Sequence, residues 1–473
     1  MRVPDFALVA GCISISFAAA TPLTAEHTSR AVGLPIQRKR VDPHAALIQD
    51  RARLRRRQAD TVDIDLDNEL SLYFANLTLG TPPQEIRLHL DTGSSDLWVN
   101  VAESQICQRQ QCQGGVYDGA SSSTHRVVND VFNITYVDGS SAYGDYVSDS
   151  LSIGDIALND FQFGTGQVST SSQGVLGIGF ESNEVQLLRT GSSYPNLPAA
   201  MKQAGHIASN VYSLWLNDFE SSTGEILFGG VDSAKYTGTL ETVPLIEQNG
   251  GYRQFAIALS TLSLNGTTRA DSLPVGVLLD SGSTLSYLPR DLARRVFTEF
   301  NAVWNSNTGA AYVSCNLANE DQSIGFNFSG KSIQVPYDEL VLDFTPGDGG
   351  QDLRLENGDP ACILGISQVE DHIAILGDTF LRSAYVVYDL ENNQIALAQT
   401  VFNATNSNVE EIATAGGDIP GATPAPFPIK DADVGADGAR LGGPSASDAF
   451  SVSSKRSDFA AFAAILVAAC MVW

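Results

Sequence analysis

Histidine and cysteine are scarce in this chain, six of each among 473 residues, and their scarcity removes whole classes of chemistry. The histidines (His27, His44, His89, His125, His206 and His372) fall at no spacing that would ligate a metal or complete a nucleophile–base triad. No glycine-rich phosphate loop opens a helix. Basic residues are also few: 28 Lys and Arg stand against 54 Asp and Glu, a net charge of −26. Residues 1–57 hold ten of the bases and four of the acids, so the remainder carries 28 − 10 = 18 bases against 54 − 4 = 50 acids, or −32. A body this acidic repels phosphate, which excludes nucleic acid as its partner. The surplus fits a protein working at low pH, where protonation relieves self-repulsion, and equally a secreted surface kept soluble by charge. Long apolar runs are missing too. Phe6–Ala20 and Phe459–Trp473 are each about 15 residues, short of the roughly 20 that a spanning helix needs.

Both ends nevertheless carry processing patterns. The first run exits through Phe17-Ala18-Ala19-Ala20, so residues 1–20 are expected to be a secretory signal peptide. Residues 21–57 contain Arg38-Lys39-Arg40 and Arg53-Leu54-Arg55-Arg56-Arg57 but no sustained apolar period; they are expected to be a removable pro-segment, with the mature chain starting near Gln58. The positive arm would pair with an acidic cleft and inhibit it until cut away. Residues 403–447, rich in Ala, Gly, Pro, Asp and Ser, are expected to form a flexible stalk. Small residues Gly442, Gly443, Ser445, Ala446 and Ser447 precede a polar spacer and the apolar end. This order matches a glycolipid-anchor signal, removed as residues 448–473. The expected location is the extracellular face of the plasma membrane or the cell wall, with the protein as a monomer tethered by its anchor.

Two of the cysteines lie in the terminal segments, leaving Cys107, Cys112, Cys315 and Cys362. Four cysteines allow three pairings, of which Cys107–Cys112 with Cys315–Cys362 puts one bridge in each half of the body. Asn-x-Ser/Thr sequons stand at Asn76, Asn133, Asn265, Asn327 and Asn403, so glycosylation is expected in a chain with a signal peptide.

From Thr61 to about Thr400 the pattern is mainly β: β-branched and aromatic runs bounded by Gly, Pro, Asn and Asp. Helical candidates are few: around Pro198–Ala204, and Asp291–Trp304 after the Pro289 break. Within this body one motif occurs twice. Leu88-His89-Leu90-Asp91-Thr92-Gly93-Ser94-Ser95 is echoed by Val277-Leu278-Leu279-Asp280-Ser281-Gly282-Ser283-Thr284. Trp98 lies seven residues after Asp91, and Tyr287 seven after Asp280. Gly174-Val175-Leu176-Gly177-Ile178-Gly179 follows the first aspartate and Ala374-Ile375-Leu376-Gly377-Asp378 the second, at 177 − 91 = 86 and 377 − 280 = 97 residues. The chain reads as two diverged copies of one β lobe, 58–250 and 251–402, with a cleft between them.

Carboxylates that meet across such a cleft cannot both ionise cheaply, so they share a proton over an acidic range. The ionised one can draw a proton from water while the protonated one hydrogen-bonds a substrate carbonyl. An amide is thereby hydrolysed without a covalent intermediate, and no metal or cofactor is expected. Thr92 and Ser281 are suited to tying the two loops together, and Ser94 and Ser283 to holding the carboxylates. Gly93 and Gly282 allow close approach of the backbone.

These elements resemble the pepsin-like aspartic endopeptidases from about residue 70 to 400. The resemblance implies a bilobal acid-protease fold, peptide or protein substrates, catalytic Asp91 and Asp280, and a mobile flap in Ile134-Thr135-Tyr136-Val137-Asp138-Gly139-Ser140. There Tyr136 would close over substrate and hydrogen-bond Trp98. Val137 departs from the family's usual glycine, Ser281 from its commoner threonine, and only two of three family disulfides are represented. The basic pro-segment and the anchored tail are similar to the fungal yapsin-like branch, which implies cleavage beside Lys or Arg; Asp138 at the flap tip could pair with such a side chain. Competing readings are a catalytically silent cleft-binding relative, which loss of an aspartate or of the flap tyrosine would mark, and a cell-wall glycoprotein, which leaves the doubled motif unexplained.

Overall fold

The computed structural model describes residues 30–39, 72–109, 112, 114–136, 140–248, 250–264, 267–269, 273–306, 308–343, 353–369 and 373–432. The expected signal peptide, most of the expected pro-segment, Asp138, Gly139, Asn265, the anchor candidates Gly442 to Ser447 and residues 448–473 lie outside them.

The body is mainly β and bilobal. A 15-stranded sheet runs through the N-terminal lobe and continues into strands Ala384–Asp389, Gln394–Thr400 and Ala422–Pro424. Its junction is the antiparallel pairing of Val211–Trp215 with Ala384–Asp389, where Leu214 lies opposite Val386, 386 − 214 = 172 residues away. Sheets of five, four and four strands complete the C-terminal lobe. Strand Gln84–Asp91 shows why these residues extend: Ile86, Leu88 and Leu90 point inward at alternate positions and are buried.

The lobes repeat one arrangement. Gln84–Asp91 runs parallel to Val175–Gly177, and Val275–Leu279 runs parallel to Ala374–Leu376. Each follower strand then pairs antiparallel with the strand bearing the aromatic residue, Trp98 opposite Val175 and Tyr287 opposite Ile375. The glycine of each apolar-Leu-Gly element has a steric reason. A Cβ on Gly177 would stand 2.7 Å from Asp96 N, and one on Gly377 would collide with Ser283 O.

Three stretches differ from the sequence expectations. Within residues 21–57, Val32–Lys39 is a strand, seated between Thr223–Phe228 and Leu72–Leu79. Its buried residues Leu34, Ile36 and Arg38 alternate with exposed Gly33, Pro35 and Gln37, a period too short to stand out beside so many charges. The second helix is Arg290–Glu299 rather than Asp291–Trp304; Val303–Asn305 instead pairs with Ala310–Ser314. The first helix, Leu197–Gln203, falls where the sequence placed it.

The third correction concerns the stalk. Residues 403–432 do not leave the body at Asn403. Val409–Glu411 pairs with Gly230–Asp232, and Ala422–Pro424 runs parallel to part of Tyr236–Pro244. Ile412 and Ile419 are buried with Trp215, Val231 and Tyr385, and Phe427 N donates to Ser329 O at 2.9 Å. Scattered single apolar residues carry this strap, so composition masks it.

Candidate active site

Asp91 closes strand Gln84–Asp91, and Asp280 directly follows Val275–Leu279. Both carboxyls are buried, at 5% and 6% exposure. Each is held the same way. Gly93 N donates to Asp91 Oδ1 at 2.8 Å and Ser94 Oγ donates to Asp91 Oδ2. Gly282 N donates to Asp280 Oδ1 at 2.9 Å and Ser283 Oγ to Asp280 Oδ2 at 2.7 Å. The two loops are tied reciprocally: Thr92 Oγ1 donates to Leu279 O at 3.0 Å and Ser281 Oγ to Leu90 O at 2.9 Å. In return Ser281 N donates to Thr92 Oγ1 at 3.0 Å and Thr92 N to Ser281 Oγ at 3.2 Å.

Proximity of the two carboxyls follows from the glycines between them. An added Cβ on Gly93 would lie 2.5 Å from Asp280 Oδ1, and one on Gly282 would lie 2.5 Å from Asp91 Oδ1. Burial, and then the charge of Asp91, push Asp280 up to about 7 from its ordinary 3.8, against the lowering pull of Ser283 and Gly282. The pair therefore retains one proton through the acidic range, with Asp280 the carboxyl pushed toward holding it. The two carboxyls are close enough for one to act on the other's proton.

Trp98 Nε1 donates to Tyr136 Oη at 2.7 Å, which joins the strand after Asp91 to the end of the hairpin formed by Arg126–Thr135 and Ser141–Ile153. The two predicted disulfides are formed, Cys107–Cys112 and Cys315–Cys362. Among the described residues, one group has metal-compatible spacing, Cys315, Asp343 and Cys362, and its two sulfurs are bonded to each other. Asn76, Asn133 and Asn403 are exposed, whereas Asn327 is partly covered.

Two groups near the site escaped the sequence reading. Asp96 is fully buried and accepts from Tyr146 Oη at 2.6 Å, Tyr194 Oη at 3.0 Å and Val185 N at 3.1 Å. It thereby fixes the aromatic wall on which Trp98 and Phe132 pack. Its partners lie 50 to 98 residues away, and its place in Asp91-Thr92-Gly93-Ser94-Ser95-Asp96 was the available signal. The second is a buried pair, Arg382 Nε on Glu339 Oε2, beside Asp378. Arg38 of strand Val32–Lys39 joins it, its guanidinium 4.3 Å from the Phe219 ring that Arg382 also covers. Burial holds Asp378 well above the usual carboxylate range despite both arginines.

Fold and site together define a bilobal β hydrolase whose two lobes each supply one aspartate. Residues 72–400 match the family described as eukaryotic aspartyl protease, and the chain belongs to that family of pepsin-like aspartic endopeptidases. A Trichophyton verrucosum protein named "Probable aspartic-type endopeptidase OPSB" is 50% identical over 390 residues, covering 80% of this chain and 79% of its own. An Aspergillus oryzae protein of the same name is 47% identical over 448 residues, 92% and 90% of the two chains. "Secreted aspartic protease 8" of Candida albicans is 39% identical across 73% of this chain and 80% of its own. The crystal structure of aspartic proteinase from Irpex lacteus superposes with a TM-score of 0.60 at 22% identity, covering 80% of this chain and all of that one. That last likeness concerns the fold.

Proposed function

We propose that Asp91 and Asp280 are the catalytic pair of this aspartic endopeptidase. The observation that carries the assignment is the reciprocal tie between Thr92 and Ser281, which holds two similarly bonded carboxyls face to face. The ionised Asp91 takes a proton from water as the water oxygen bonds to the scissile carbonyl carbon, and protonated Asp280 gives its proton to the carbonyl oxygen. Asp91 then passes its proton to the amine nitrogen as the carbon–nitrogen bond breaks, and the ionised Asp280 takes back a hydroxyl proton, which restores the starting pair. Tyr136 covers the substrate from the flap.

We further infer a secreted zymogen. Residues 1–20 are its signal, and 21–57 an inhibitory pro-segment, a reading supported by the seat of Val32–Lys39 in the main sheet. The sequons are glycosylated, and a glycolipid added within Gly442–Ser447 holds the monomer at the outer face of the plasma membrane or in the wall. The strap of residues 403–432 moves the start of the inferred tether beyond Ala432. Asp138 gives the preference for Lys or Arg beside the scissile bond by pairing with that side chain.

The test is hydrolysis of paired peptides, one with Lys-Arg and one with Leu-Phe at the scissile position, from pH 3 to 7, with pepstatin and Asp91→Asn controls. The expected result is acid-range cutting of the basic peptide, blocked by pepstatin and absent in the variant. Cutting of Leu-Phe alone keeps the protease and removes the basic preference. An Asp138→Thr chain that loses both peptides equally removes the role of Asp138.

A further inference from the structure

Asn133 sits in the sequon Asn133-Ile134-Thr135 on the strand that leads to the flap. Its neighbours Phe132 and Ile134 are each 1% exposed, so alternation turns Asn133 to the outer face, where it is exposed. Directly across the hairpin stands Tyr143, 48% exposed, and directly across from Tyr143 on its other side stands Val168, 39% exposed. Side chains of directly paired residues share a face, their Cβ atoms about 5 Å apart. The three therefore make one outward row: an acceptor amide, an aromatic ring and a branched aliphatic.

The other described sequons lack that row, Asn403 because it is exposed in a turn outside any strand. Asn76 pairs with Arg87. Asn327 Oδ1 accepts from Ser260 Oγ at 2.8 Å and Gly330 N at 3.0 Å, and Ser329 of its sequon is buried and takes Ile429 N on its hydroxyl.

We propose that Asn133 carries an N-linked glycan whose first N-acetylglucosamine lies on the Tyr143 ring and against Val168. The proposal rests on the secretory reading given above. One face of that sugar is lined by C–H groups that suit an aromatic face, and its acetyl methyl suits an aliphatic neighbour; the hydroxyls stay in water. The sugar bridges Arg126–Thr135 to Ser141–Ile153 at the base of the flap, and so restrains the hairpin that carries Tyr136.

The experiment uses the full chain secreted from a fungal host, with site occupancy read by glycopeptide mass spectrometry and hairpin mobility by hydrogen exchange of residues 126–153. Trimming to a single N-acetylglucosamine with an endoglycosidase should leave exchange unchanged, whereas complete removal with an amidase should raise it roughly two- to tenfold. In Tyr143→Ser complete removal should have no further effect, and Asn133→Asp controls for the charge that the amidase leaves. An occupied Asn133 with equal exchange before and after complete removal overturns the contact. A bare Asn133 beside an occupied Asn76 overturns the site and leaves secretion standing. If no sequon is occupied, the secretory reading falls and takes this proposal with it.

Discussion

Thr92 and Ser281 each donate a hydroxyl proton to the carbonyl immediately before the other's aspartate, Leu279 O at 3.0 Å and Leu90 O at 2.9 Å. Each hydroxyl also accepts the other's backbone N–H, so four buried hydrogen bonds link positions 189 residues apart. Removing one hydroxyl orphans a carbonyl and an amide at buried positions. Thr92→Ala or Ser281→Ala should each cost about 2–4 kcal/mol in denaturant unfolding. The double variant should cost clearly less than the sum, because the first change already breaks the shared network. Fully additive losses would mean that the two hydroxyls act separately.

The proton on Asp280 links stability to pH with a definite sign. Its folded value is raised to about 7 from 3.8, so between those limits the native state binds more protons than the unfolded chain. The contribution is fully present below about pH 3.8 and is lost as pH rises through 7, by at most about 4 kcal/mol. Asp378, also raised by burial, adds loss of the same sign. Unfolding midpoints should fall from pH 4 to pH 7.5, and Asp280→Asn should flatten part of that slope while removing activity. In the native protein, kcat/KM should decline through the same upper range as Asp280 loses its proton. A slope unchanged in Asp280→Asn would assign the loss to other groups.

Gly93 and Gly282 are needed for space and not for an unusual backbone, since neither lies at positive φ. A methyl group at either position meets the opposite carboxyl at 2.5 Å. Gly93→Ala should therefore lower kcat by about a hundredfold or more, because small displacements of reacting groups carry penalties of that order. KM should change little, as the substrate contacts along the cleft are retained. Gly282→Ala should behave as its mirror image; a large effect from one and none from the other would break the symmetry that the hydrogen bonds show.

The aspartates, their supporting hydroxyls and the follower strands were legible because each lies within a short string repeated in both lobes. The Trp98–Tyr136 contact was also named from the chain, through the family resemblance. Asp96 was not, since nothing local announces that Tyr146 and Tyr194 will converge on it. The strand Val32–Lys39 was hidden for another reason: its two inward apolar residues sit beside Arg38 and Lys39, and charge density outweighed a short alternation. Arg38 is buried only because Glu339, Asp378 and the Phe219 ring, all distant in sequence, surround it. Long-range electrostatic neighbours of this kind leave no periodic trace.

The strap after Thr400 provides a test of where the folded body ends. Ile412 and Ile419 are 1% and 4% exposed and complete a cluster with Val211, Trp215 and Tyr385. Asp232 anchors the same segment, accepting from Ser407 Oγ at 2.8 Å and Asn408 N at 2.7 Å. A chain ending after residue 402 would expose the faces of Trp215 and Tyr385 and leave Asp232 without both donors. It should melt well below a chain ending after residue 432, which should match the longer protein. Ile412→Ala, which keeps the strap but opens a cavity beneath it, should cost about 2–5 kcal/mol. Equal melting temperatures for the two truncations would show that the strap rests on the body without stabilising it.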